Sequence, residues 1–164
     1  MSQPVSIIER LIAAADRPTG VRFVGASVAP TGDGGDAFVP WNQVHAEARV
    51  VGAALQARGL VPGDHVAILG PTSRALMTIV QGCWLAGCAS MVLPLPMRMG
   101  SLDVFIDTTR ARIRHGDAKL VLIDDLLADL YPAAPGDPPI EAMRAVLPGT
   151  PGQVSGERIQ ITTP

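Results

Sequence analysis

Aromatic and charged residues are both scarce in this sequence. Aromatic side chains make up 4% of the 164 residues and charged side chains 17%, whereas 48% are hydrophobic. A core must therefore be built from aliphatic side chains, and a chain this apolar is not disordered throughout. The length is sufficient for one domain with a core of ordinary size. We expect much of the surface to be buried, in part against segments outside this sequence.

Lysine is almost absent, since Lys119 is the only one among 13 basic residues. The net charge of −2 and the lack of a basic patch exclude nucleic acid as an expected partner. Cys83 and Cys88 are five positions apart, which matches no metal-binding pattern. We therefore expect no metal site, and we interpret the cysteines as buried thiols in a reducing cytoplasm.

Export and membrane insertion are not indicated either. The N-terminus has no basic region followed by a long apolar stretch, so it does not resemble a signal peptide. Residues 75–97 are uncharged and formally long enough to span a bilayer. Gly82, Gly87 and Pro94 interrupt this stretch, however, and a buried helix followed by a buried strand explains it better. We expect a cytoplasmic protein without a membrane span.

The first third of the chain predicts a helix, a hairpin and a second helix. Ser6 and Glu9 form a capping-box pattern at the start of a helix over 4–15. Two short β-type runs, 21–25 and 37–41, are separated by a Gly/Asp-rich loop and predict a small hairpin. The second helix is expected over 41–58, with Asn42 as its cap.

The middle of the chain alternates between strands and helices. Apolar strands are predicted at 65–69, 90–94 and 119–123, and the helices between them at 73–86 and 102–115. This order predicts an α/β fold, a parallel sheet with helical crossovers. On the last of these helices, three arginines are expected to face solvent: Arg110, Arg112 and Arg114.

The last part of the chain is less regular. A short helix is predicted from Asp124 to Tyr131, and a Pro-rich linker over 132–139 within a single subdomain spanning 1–164. Residues 140–147 fit either a helix or a connector, and 157–162 fit a short strand.

Several motifs occur in a fixed order between residues 38 and 123. A strand with aromatic residues precedes a helix that ends in Gly59-Leu60; LVPGDHVAI follows at 60–68, then Ala86-Gly87, and then a strand that ends at Pro94. This set resembles the start of the adenylate-forming superfamily, which includes acyl-CoA synthetases, fatty acyl-AMP ligases, luciferases and peptide-synthetase adenylation domains. The segment PLPMRMGSLDVF at 94–105 is most similar to fatty acyl-AMP ligases.

The resemblance implies that the chain is the N-terminal part of a fatty-acid-activating ligase, truncated before the catalytic core. Such an enzyme uses ATP and Mg²⁺ to form acyl-AMP and then transfers the acyl group to CoA or to an acyl carrier protein. The family's lysine-containing phosphate loop, its Mg²⁺-binding Glu and its ribose-binding Asp have no match here. We therefore expect no catalytic, cofactor-binding or metal-binding residue in this chain, which should be inactive alone.

The resemblance also implies that this region lines part of the acyl tunnel, with Trp84, Met97 and Met99 as candidate lining residues. Ordinary packing is an equally good interpretation of each. Arg98 is a candidate for meeting a phosphate or an acidic carrier protein, or is simply a solvated loop residue. An alternative hypothesis is a non-catalytic α/β scaffold that self-associates through an apolar patch. A flavodoxin-like nucleotide-binding protein is disfavoured, because the G-x-G-x-x-G fingerprint is absent.

Overall fold

A computed structural model describes residues 5–24, 37–95, 101–149 and 155–161. The elements in chain order are α1 (Ile7–Ala15), β1 (Gly20–Phe23), β2 (Ala37–Pro40), α2 (Trp41–Ala57), β3 (His65–Leu69), α3 (Arg74–Leu85), β4 (Ala89–Val92), α4 (Leu102–His115), β5 (Ala118–Ile123) and β6 (Ile140–Ala142). Short 3₁₀-helices lie at Asp125–Leu130, Met143–Val146 and Gly156–Arg158.

The main sheet is parallel, with the strand order β4-β3-β5-β6. Val66 and Ile68 of β3 pack with α2 and α3 on one face, whereas Ala67 and Leu69 pack with α4 on the other. Because both faces are covered, the strands are nearly continuous apolar runs. The predicted α/β fold with helical crossovers is confirmed.

The predicted hairpin is also confirmed. Strands β1 and β2 pair antiparallel, with Gly20 opposite Pro40 and Phe23 opposite Ala37. Phe23, Val39 and Val44 form a small apolar cluster that joins this hairpin to α2. The hairpin therefore packs on the helical layer and forms a sheet of its own.

The caps predicted at Ser6 and Ser101 are confirmed, although α1 begins at Ile7 and not at residue 4. The Ser6 Oγ accepts a hydrogen bond from the Glu9 N–H at 3.2 Å, and the Glu9 carboxylate accepts one from the Ser6 N–H at 2.7 Å. Ser73 and Ser101 cap α3 and α4 in the same way, each accepting from a backbone N–H at 3.2 Å. Gly59, just beyond α2, has φ +84°, the left-handed conformation typical of a helix stop.

The predicted cap of α2 was wrong. Pro40 occupies the N-cap position and the helix begins at Trp41, so Asn42 is already the second helical residue. The Asn42 Oδ1 accepts a hydrogen bond from the neighbouring Gln43 N–H at 2.8 Å and caps nothing. The helix begins at residue 41 as predicted, so only the cap was misassigned: Pro40, with φ −67° and ψ 150°, occupies the N-cap position without a side-chain hydrogen bond.

Helices α2 and α3 approach each other closely at Gly82. A Cβ atom on Gly82 would lie 2.5 Å from Val51 Cγ1 and 3.0 Å from the Ala48 carbonyl oxygen. Real Cβ atoms essentially never show contacts this short, so only glycine fits here without a shift of one helix. The contact fixes how far α3 stands from α2.

The segment 155–161 returns to α2 and does not form the strand predicted at 157–162. Ile159 is buried over Gly52, where an added Cβ would lie only 2.2 Å from Ile159 Cδ1. The Gln56 side chain donates to the Gln160 carbonyl at 2.7 Å and accepts from its N–H at 3.0 Å. The N–H and the carbonyl of Gln160 are thus paired with a helix side chain rather than with a neighbouring strand. Residues 140–147, left open above, form β6 and a 3₁₀-helix.

Arg110 is not exposed, contrary to the prediction. Its Nε donates to both carboxylate oxygens of Asp137 at 3.0 Å, and its guanidinium lies 5.3 Å from the centre of the Tyr131 ring. The Asp137 side chain is only 3% exposed and also accepts from the Ala134 N–H at 2.9 Å. These contacts hold the Pro-rich connection over 132–139 against α4.

Replacing Asp137 by Asn will lower the free energy of unfolding by about 2 kcal/mol. The half-buried Arg110 guanidinium would lose its charged partner, and charge-assisted hydrogen bonds are worth about 1.5–3 kcal/mol. Chemical denaturation followed by circular dichroism measures the loss. Asp117→Asn is the matched control, because the Asp117–Lys119 pair is exposed to solvent and its removal should leave the midpoint unchanged. Equal midpoints for the two variants would contradict the structural role of Asp137.

Candidate functional site

An open groove of about 570 Å³ lies between β1 and α3. Its apolar walls are formed by Val21 and Phe23 from β1 and by Leu76, Met77, Val80 and Trp84 from α3. The helical lining runs from Thr72 and Ser73 to Trp84, which corresponds to about 18 Å at the rise of an α-helix. The groove is therefore elongated and mainly apolar, with polar groups at Thr72, Ser73, Gln81 and Arg22.

Helix α3 packs against the sheet on one side and lines the groove on the other, and its sequence fits both roles. Ala75, Ile79 and Cys83 are buried against the sheet. Met77, Val80 and Trp84 repeat at spacings of three and four residues and lie on the groove side. With apolar residues required on both sides, no charged residue follows Arg74 in this helix. The uncharged stretch noted in the sequence is thus the signature of a helix between a sheet and a groove.

Trp84 lies at one end of the groove and is held by a polar contact. Its indole Nε1 donates to the Ser90 Oγ at 3.2 Å. The ring also packs against the cluster of Ile8, Leu85 and Ile159, beside Ile161. Of the three residues predicted to line a tunnel, Trp84 therefore lines the groove, while Met97 and Met99 fall outside the described residues, as does Arg98.

A buried ion pair holds the other end of α3. Arg74, its first residue, is 8% exposed and Glu47 of α2 is 9% exposed. The Arg74 guanidinium binds both carboxylate oxygens of Glu47, with Nε 3.1 Å from Oε2. Gln43 donates to the same carboxylate at 3.1 Å. Arg74 directly follows Thr72 and Ser73, so this pair fixes the polar end of the groove.

Sequence reasoning missed both the ion pair and the groove. A signal for the pair was present, because Glu47 lies beside Val44, Ala48 and Val51 on the apolar face of α2. A charge on a buried face demands a partner. Nothing in the sequence, however, indicated that β1 would lie alongside α3.

His65 makes a structural contact, and both cysteines are free and buried. The His65 Nδ1 donates to the Gly116 carbonyl at 2.5 Å. Burial, and secondarily the charge of Arg49, lowers the pKa of His45. Burial raises the pKa of the Cys83 thiol, and burial together with Asp64 raises that of Cys88 to about 11. Neither thiol is a nucleophile near neutral pH, because the thiolate is the reactive form.

A family model described as AMP-binding enzyme matches residues 14–153. The chain belongs to the AMP-binding enzyme family. A fatty acid–[acyl-carrier-protein] ligase of Streptomyces coeruleorubidus is 28% identical over 99 residues, which covers 60% of this AMP-binding family chain and 18% of the relative. The chain thus spans about a fifth of the length of the curated relative that it matches.

Solved structures share the fold of this AMP-binding family chain. A fatty acyl-adenylate ligase of Legionella pneumophila, in complex with acyl adenylate and pyrophosphate, superposes with a TM-score of 0.73 at 18% identity. The match covers 96% of the chain and 26% of that structure. An O-succinylbenzoate coenzyme A synthetase of Bacillus subtilis in complex with AMP has a TM-score of 0.63 at 16% identity, covering 88% and 33%. At these identities the likeness shows the fold alone.

The described residues of this AMP-binding family chain offer no cluster of ligands for magnesium. No group of three His, Cys, Asp or Glu side chains comes together in the described ranges as a metal site. Lys119 lies on the exposed side of β5 and pairs with Asp117 at 2.9 Å, remote from the groove lining. No described helix has both the length and the apolar character that a bilayer crossing requires.

Proposed function

We propose that this chain is the N-terminal part of a ligase that activates fatty acids. In the proposed reaction a fatty-acid carboxylate attacks the α-phosphate of ATP, forming acyl-AMP and releasing pyrophosphate. A thiol of CoA or of an acyl carrier protein then attacks the acyl carbon and releases AMP. The observation that carries the proposal is the elongated apolar groove beside α3 in a chain of the AMP-binding family.

In this proposal the chain binds and orients the acyl group and supplies no reacting group. Val80, Met77 and Trp84 contribute one apolar wall of the acyl site, and Met97 and Met99 are proposed to extend it. Burial of methylene groups against such a wall contributes about 0.8 kcal/mol each, so a chain that fills the groove is bound tightly without any charge. Mg²⁺ would neutralise phosphate charge during adenylation, and we assign its ligands to the part of the protein outside this chain.

Two further features belong to the proposal. The acceptor is CoA or a carrier protein, and the similarity to the acyl-carrier-protein ligase of Streptomyces favours the carrier protein. We also propose a cytoplasmic location, which is supported by the two free, buried cysteines.

Filling the groove will shorten the acyl chains that the whole protein accepts. In the natural protein, Val80→Trp should lower kcat/KM for dodecanoic acid by at least tenfold and leave hexanoic acid within about twofold, because lost methylene burial costs more for the longer chain. Pyrophosphate release measures both rates.

The control is Val104→Trp, on an exposed position of α4 with 62% of the residue accessible, which should change neither rate. The isolated 164-residue chain should release no pyrophosphate above a heat-inactivated sample. An equal loss of kcat/KM for both acids in Val80→Trp would contradict the proposal. Release of pyrophosphate by the isolated chain would also contradict it.

A second candidate function is self-association of a scaffold domain. It is favoured by β4, which lies at an edge of the described sheet, and by exposed apolar residues on β4 and α4: Val92, Leu102 and Val104, at 50%, 46% and 62%. An uncovered strand edge is a template for pairing with another chain. Size-exclusion chromatography with light scattering distinguishes the two: a monomer across a wide concentration range argues against the scaffold.

A further inference from the structure

Gln81 is the exception in the apolar part of the groove. It is 7% exposed, yet it belongs to the groove lining, one helical turn from Trp84. Among the described residues no hydrogen bond involves its amide, whereas Ser73 and Arg74 at the start of the same helix are both paired. Buried Thr78 of the same helix also lacks a partner for its hydroxyl, but it does not line the groove. A primary amide carries two donors and one acceptor with two lone pairs. In the groove they are available to a bound molecule that carries a complementary group.

We infer that Gln81 selects an acid that carries a hydroxyl or oxo group on its chain. This inference rests on the proposed function, because it takes the groove as the acyl site. A polar substituent that pairs with the Gln81 amide replaces the water lost on burial. An unsubstituted alkyl chain at the same place leaves the amide buried without a partner, and a site built for a hydrogen bond rejects the analogue that lacks it.

A charged substituent does not fit this position. The Gln81 amide is neutral, and the lining around it on α3 is formed by Met77, Val80 and Trp84. The charged member of the lining is Arg22, which is exposed at the mouth of the groove. Moving an ionised group next to a neutral amide among apolar side chains costs far more than one hydrogen bond returns. A neutral oxygen substituent is the class that the site accepts.

The position of Gln81 along α3 restricts where the substituent lies on the chain. Ser73, at the polar end of the groove, precedes Gln81 by eight residues, or about 12 Å of helix. Trp84 follows it by three residues and so lies on the same face. The oxygen group therefore sits nearer the Trp84 end of the bound chain than the Ser73 end, and only one region of the chain can be substituted productively.

A positional series of substituted acids tests the inference. The dissociation constants of dodecanoic acid and of its monohydroxy and mono-oxo derivatives are measured on the natural protein by isothermal titration calorimetry. We expect one region of the series to bind about tenfold more tightly than dodecanoic acid, as one hydrogen bond to a buried amide provides. Equal constants along the whole series would overturn the role of Gln81 while leaving the groove as the acyl site.

Three variants separate the contributions. Gln81→Leu should remove the preference and bind dodecanoic acid at least as well as before. Gln81→Glu should still bind the hydroxy acid tightly, because a hydroxyl can donate to a carboxylate. It should bind the oxo acid more weakly, because an oxo group cannot donate. Val80→Ala, with no polar group, should weaken all acids by a similar factor. Preserved preference in both Gln81 variants overturns the inference. If no acid binds the natural protein at all, the groove is not an acyl site, and the proposed function fails with it.

Discussion

Replacing Glu47 by Met will lower the free energy of unfolding by about 3–5 kcal/mol. The substitution leaves the Arg74 guanidinium at 8% exposure without the carboxylate that it binds through two nitrogens. Breaking a buried pair by removing one partner is costly, whereas replacing both partners by apolar residues is often neutral. The double variant Glu47→Met/Arg74→Met should therefore recover most of the lost free energy.

Chemical denaturation of the three proteins measures this effect, with Glu141→Met as the matched control. Glu141 also pairs with an arginine, Arg58, but the two side chains are 33% and 27% exposed. A pair this accessible to solvent is worth less than about 1 kcal/mol. If Glu47→Met costs no more than Glu141→Met, the buried pair does not stabilise the contact between α2 and α3.

Replacing Gly82 by Ala will destabilise the protein by about 2–3 kcal/mol, although alanine is the better helix former by about 1 kcal/mol. The new methyl group would lie 2.5 Å from Val51 Cγ1, so α2 and α3 must separate. Separation opens the packing between the helices and moves the wall of the groove that α3 provides. The loss is read from denaturation curves.

A compensating substitution identifies the cause. Val51→Gly removes both the Cγ1 and the Cβ atoms that would lie 2.5 Å and 2.6 Å from the new Cβ, so Gly82→Ala should cost less in the Val51→Gly background than in the original protein. The difference between the two costs is the coupling energy of the pair. Additive effects would place the origin of the destabilisation elsewhere than at this contact.

Local signals in the sequence predicted the elements well. Ser6, Ser73 and Ser101 each precede an apolar helical pattern and each caps a helix in the structure. The apolar runs at 65–69 and 119–123 predicted strands of a parallel sheet, because a strand covered on both faces needs no polar alternation. The structure places these two strands side by side. Where one residue and its near neighbours decide the conformation, the sequence was sufficient.

Contacts between distant residues were not predictable in the same way. Arg110 pairs with Asp137 and Arg74 with Glu47, each pair 27 positions apart, and no local pattern distinguishes these arginines from solvated ones. Residues 157–161 were misassigned to a strand because their β-type composition is satisfied by α2 rather than by a sheet. The groove lies between β1 and α3, so it exists only after tertiary packing. The sequence therefore could not show that Gln81 lines it.

The docking of Ile159 and Gln160 on α2 also has a consequence for biosynthesis. Gln56 and Gln160 are 104 positions apart, and a ribosome adds about 5–20 residues per second. The face of α2 that carries Gly52 and Gln56 is therefore made roughly 5–20 s before the segment that covers it. During that interval the nascent chain exposes an apolar helix surface, so chaperones that recognise such surfaces should engage the growing chain at α2 and be released when residue 159 emerges.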